Sequence, residues 1–136
     1  MERPLLVRVT GFGLSGIFAA VGIVFLAIPD KVLAAFNRLA SGLNWPLSST
    51  DGHTLYLALA VAYMYVVTLL AWKMARHPKQ AVYAALLVHA KAASAVLCLG
   101  LFVFQETYLL YLLNLIVDAG IALLVWWICL RHGART

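Results

Sequence analysis

Two apolar runs, 81–104 and 108–130, are separated by only Gln105, Glu106 and Thr107. Each is long enough to cross the ~30 Å hydrocarbon core of a bilayer, which takes about 20 helical residues. A connection that short makes the two helices antiparallel neighbours. Each run carries one charge, Lys91 in the first and Asp118 in the second, both about ten residues in from the start of their run. At ~1.5 Å of rise per residue the two fall near one depth, close to the middle of both helices. An unpaired charge there costs about 2.5–3.5 kcal/mol on insertion scales. Pairing is the cheap solution, so Lys91 and Asp118 are expected to touch or to share a water.

The rest of the chain fits the same environment. With 65% hydrophobic and 11% charged residues and a mean hydropathy of +0.96, its apolar surface exceeds what a soluble globule of 136 residues can hide, since small domains bury only about two-thirds of it. The fold class expected is all-α: a polytopic membrane protein, one domain over 1–136, built as a four-transmembrane-helix bundle. The net charge of +5 does not indicate nucleic acid, because the cations punctuate the apolar runs as topology signals do.

The first span is read over 9–28, as a retained helix rather than a signal peptide, because the run is about 20 residues long and no convincing small-x-small cleavage site closes it before Pro29. Gly11, Ser15 and Ala19 recur every fourth residue, with Gly22 beyond and Gly16 and Ala20 as a second pair. Such stripes let helix backbones approach closely, within one chain or between copies in a homo-oligomer. Residues 31–43 form an amphipathic helix too short to span, with Val32, Leu33, Phe36, Leu39 and Leu43 opposed to Lys31, Asn37, Arg38 and Ser41. It is expected to lie at the interface, followed by Trp45 at aromatic-belt height. Ser49, Thr50 or Asp51 can cap the second span, read over 53–72, which carries Tyr56, Tyr63, Tyr65, Thr68 and Trp72. Tyr63 and Tyr65 lie deep enough to need hydrogen-bond partners.

With the N-terminus in the cytoplasm, the inner side holds Arg3, Arg8, Lys73, Arg76, Lys79, Arg131 and Arg135, and the outer side only Lys31 and Arg38. The positive-inside rule then places both termini in the cytoplasm of, most simply, a bacterial inner membrane.

Helical periodicity extends the polar centre. Tyr111, Asn114 and Asp118 share one stripe of the fourth span, with Ala122 below, and Lys91, Ser94 and Cys98 one stripe of the third. Tyr63 or Tyr65 of the second span can complete a cluster of ammonium, hydroxyl, amide, carboxylate and phenol. His89 points to another face, where it can meet another helix of the bundle or a second protomer, read as a hydrogen-bonded structural residue rather than a ligand. Cys98 and Cys129 sit at different depths in apolar runs and are read as buried thiols, not a disulfide.

Several functions suit this pattern. A polar midplane site at Lys91, Asp118, Asn114, Ser94, Tyr111 and Tyr63 can bind a small or lipidic ligand or handle protons, in a transporter for example. The four-span size resembles the small multidrug resistance family, but that family's acidic residue in the first span has no counterpart here. Alternatively, Lys91–Asp118 is a structural ion pair in a non-enzymatic scaffold or accessory subunit of a larger membrane complex. A quinone-binding anchor, similar to the small membrane anchors of respiratory enzymes, is a further alternative. Bis-histidine haem is not expected, because only His89 is deep, and no other cofactor or metal is predicted. No nucleophile–base pair or paired carboxylates suggest an enzyme. In outline alone, with a surface helix after the first span, the chain is similar to DoxX-type bacterial four-helix membrane proteins.

Overall fold

The computed structural model describes residues 3–48, 54–105 and 107–130. Five α-helices account for nearly all of them: α1 (Arg3–Ala27), α2 (Pro29–Gly42), α3 (Thr54–Arg76), α4 (Ala81–Phe104) and α5 (Leu109–Val125), the last continued by a π-helical turn, Trp126–Leu130. Four of these helices are long and apolar enough to cross a membrane. The capping residues proposed at 49–51 and the turn residue Glu106 lie outside the described residues.

Helix limits follow local chemistry. α1 begins six residues before the expected Val9, because Pro4 sits in its first turn, where no N–H partner is lost, and Arg8 is a good helix former. A break at Ile28 (φ −140°, ψ 52°) separates α1 from α2, which opens on Pro29 with Asp30 in its first turn. α2 ends in a Schellman motif: the N–H of Trp45 reaches the carbonyl of Ala40 at 2.9 Å and that of Asn44 the carbonyl of Ser41 at 3.2 Å. Asn44 takes the left-handed conformation this requires (φ 55°), which asparagine tolerates better than most residues. α3 runs four residues past the expected Trp72, with Lys73 and Arg76 at the negative end of its dipole, and stops short of Pro78. α4 runs over the expected 81–104, and the fourth span starts one residue later than expected, at Leu109, and ends in the π-helical turn.

The helices pack in the order α1–α3–α4–α5, with α1 against α3 and α4 against α5 the most extensive pairs. The π-helical turn closes the ring by touching both α1 and α4. The core gathers at that end, where Val7, Met74, Ala84, Val125, Ile128 and Cys129 join one buried cluster. At the opposite end α2 folds back over the bundle. The Asn37 amide accepts from the Ser48 N–H at 2.9 Å and donates to its carbonyl at 3.1 Å, and Trp45 packs on Phe102 with ring centroids 5.9 Å apart.

The α1–α3 contact depends on Gly11. A Cβ placed there would lie 2.8 Å from the carbonyl oxygen of Ala71 and 2.8 Å from the Cβ of Ala75. Gly22 is the second close approach, with a Cβ 3.2 Å from that of Met64. Packing within the chain therefore takes Gly11 and Gly22 of this stripe, while Ser15 and Ala19 are only partly buried. Gly16 and Ala20 remain on an exposed face.

Candidate functional site

The buried stripe of α4 is Ala84, Leu87, Lys91 and Ala95, and that of α5 includes Asp118, Ala122 and Val125. A lysine and an aspartate thus occupy core positions, 3% and 2% exposed. The Lys91 ammonium donates to Asp118 Oδ1 at 2.7 Å, the contact that depth and period lead one to expect.

Two aromatic rings complete the surroundings of the cation. The Nζ of Lys91 lies 4.6 Å from the ring centroid of Phe18 on α1 and 5.1 Å from that of Tyr63 on α3. A π face attracts a cation electrostatically, and more strongly once both are out of water. Tyr63 is itself fixed, donating from Oη to the carbonyl of Ala90 at 3.0 Å and interacting with Ser94. One ammonium group therefore meets a side chain from each of the other three long helices.

Phe18 is the member that sequence reasoning missed. Its signal was available: Val7, Gly11, Leu14 and Phe18 recur on one helical face, all of them buried. Only the packing shows which helix that face meets. Phe18→Leu, which keeps bulk and removes the π face, is expected to lower stability by about 0.5–2 kcal/mol. Unfolding in mixed detergent micelles measures this, and an unchanged midpoint would refute a role for the ring.

The remaining site residues do not all join the pair. Asn114 Nδ2 donates to Cys98 Sγ at 3.0 Å and lies 3.5 Å from Ser94 Oγ, making a second polar group on the α4–α5 seam. Tyr111 stands apart, against Tyr108 with ring centroids 5.7 Å apart, near the α2 end. Seven residues of helix separate it from Asp118, about 10 Å along the axis, so a shared face did not mean a shared site. Tyr65 is 68% exposed and takes no place in the cluster.

Cys98 is half-buried and Cys129 buried, neither in a disulfide, with Cys129 donating to Met74 Sδ at 3.8 Å. His89 is exposed on α4 and hydrogen-bonds to none of the described residues, so the expected satisfied histidine does not form among them. Among the described residues no three His, Cys, Asp or Glu side chains converge as metal ligands.

A cleft lined mainly by apolar side chains lies away from the ion pair. This cavity of about 360 Å³ opens at the α2 end, between the starts of α3 and α5, with α2 as its roof. It is lined by apolar and aromatic side chains, Phe25, Phe36, Tyr56, Tyr108 and Tyr111 among them. Of the site residues read from sequence, only Tyr111 reaches it. Compared with known proteins, the chain matches no family model, no curated protein and no solved structure.

Proposed function

We propose that the chain is an integral membrane protein that serves as a non-enzymatic scaffold or accessory subunit of a larger membrane complex, with Lys91–Asp118 as the ion pair that locks its four spans. One observation carries this reading. The two charged side chains are only 4% and 3% exposed, bonded to each other, with aromatic rings over the cation. A ligand or transport site has to be reached, whereas a lock has to be closed. Binding a ligand at this pair, quinone included, would require Phe18 or Tyr63 to move off the ammonium.

Membrane embedding is supported by the outward faces. Within each apolar window only 17–22% of residues are buried, and Leu5, Ile23, Leu59, Val96, Val103 and Leu123 are all exposed. Water would penalise so large an apolar surface, and lipid does not. The ring of Trp72 lies 5.4 Å from Lys73 Nζ and 5.3 Å from the Arg76 guanidinium, the combination of aromatic and cation found at head-group level. The count of cations argues for cytoplasmic termini, and helical rather than barrel spans suit a bacterial inner membrane.

Two measurements test the proposal. Single cysteines replacing Ser48 and Lys79, in a background with Cys98 and Cys129 replaced by alanine, should react with a membrane-impermeant maleimide in intact cells at 48 only. The reverse pattern would overturn the orientation. Gentle extraction from native membranes should release the chain within a larger assembly. Recovery as a free, monodisperse species would overturn the accessory role.

A further inference from the structure

The cavity beneath α2 is unused by the lock, and its construction points to an occupant. Pro29, Val32, Leu33 and Phe36 form its roof from α2, Leu57 and Ala60 come from α3, and Tyr108, Leu110 and Tyr111 from the start of α5. It lies where α1 ends and α3 and α5 begin, which in a membrane-embedded bundle is the boundary between head groups and acyl chains. Its volume of about 360 Å³ falls in the range of sites that bury small ligands. The walls are hydrocarbon and aromatic rings, and Ser48, Tyr56, Tyr108 and Tyr111 are the hydroxyl-bearing residues of the lining.

The roof supplies the charge. Val32, Leu33 and Phe36 face the cavity, and the helical period puts Lys31 and Arg38 on the opposite side of α2, both exposed. A hydrocarbon chain under α2 would thus have two cations above it in the head-group layer. From this we infer that the cavity is a binding site for one acyl chain of an anionic phospholipid, its ester carbonyl at the tyrosine hydroxyls and its phosphate at the level of Lys31 and Arg38. The inference rests on the membrane-embedded reading proposed above. The site is separate from the Lys91–Asp118 pair.

The test uses the full chain in phosphatidylcholine liposomes containing phosphatidylglycerol with a photoreactive diazirine in one acyl chain, and maps labelled residues by mass spectrometry. The expected result is saturable labelling centred on residues 32–36, 57–60 and 108–111, displaced by unlabelled phosphatidylglycerol. Ala60→Phe and Leu33→Trp, which fill the cavity from two different helices, should each reduce that labelling at least fivefold. Ala93→Leu, on an exposed face of α4, should leave it unchanged. If either cavity variant fails to fold, as judged by helicity and elution, competition on the parent chain still decides.

Labelling spread evenly over outward faces, without competition, would overturn the inference and leave embedding intact. No labelling of any residue would overturn both. Displacement by a short-chain ubiquinone but not by phosphatidylglycerol would reassign the cavity to a prenylated quinone and overturn the phospholipid claim.

Discussion

Asp118→Ala alone is expected to destabilise the bundle by about 3–5 kcal/mol, the usual cost of leaving one member of a buried ion pair without its partner. The Lys91 ammonium would keep its two rings but lose its hydrogen-bonded carboxylate, at a position 3% exposed. Lys91→Ala should cost a similar amount and in addition empty a cavity between Phe18 and Tyr63. Conservative replacements refine the expectation. Asp118→Asn keeps the shape and an acceptor oxygen, so it should fall between the parent and Asp118→Ala. Reversible unfolding in mixed micelles, followed by helicity, measures all three. Singles within about 1 kcal/mol of the parent would mean that the pair contributes little to holding the helices together.

Gly11→Val is the second large effect expected. The contact between α1 and α3 brings Gly11 against backbone, and its missing Cβ would stand 2.8 Å from the Ala71 carbonyl oxygen and 2.9 Å from the Ala75 nitrogen. Backbone atoms of a helix cannot rotate aside as a flexible side chain can, so α1 must shift as a whole. Overpacking of this kind costs about 1–3 kcal/mol. The displacement also moves Phe18, two turns along the same buried face, away from the lysine. Gly13→Val is the matching control, because nothing lies within 4 Å of a Cβ there. Thermal midpoints that fall for Gly11→Val and hold for Gly13→Val are predicted. Equal behaviour would remove close α1–α3 packing from the account.

The features legible in the sequence were those set by one dimension. Length and apolar content marked the four long helices, Pro29 and Pro78 marked two breaks, and the short 105–107 connection with its two charges placed Lys91 beside Asp118. Features that depend on how helices cross were not legible. Tyr111 shares a face with Asp118 yet stands two turns away, since a stripe gives direction around a helix and nothing about which length of it meets a neighbour. The role of Phe18 was hidden for the same reason, as one aromatic on an apolar face resembles ordinary core until the opposite helix is known. The cavity under α2 is built from α2 and the starts of α3 and α5 together. No local residue pattern encodes that meeting of three helices. His89 lies away from Lys91, as the period requires, and is exposed in the single chain.

If Lys91–Asp118 is a lock and not a site, both charges can be exchanged together for apolar side chains. The double replacement Lys91→Met/Asp118→Leu does this, since it removes both charges and keeps apolar volume. Well-packed hydrophobic replacements of buried ion pairs are often neutral or stabilising by about 1–4 kcal/mol. The measurement is the unfolding free energy of the double variant beside the two single variants and the parent, together with its recovery in the native membrane assembly. A lock predicts that the double variant is at least as stable as the parent and still assembles. A double variant that folds stably yet no longer assembles, or one as unstable as the singles, would contradict it.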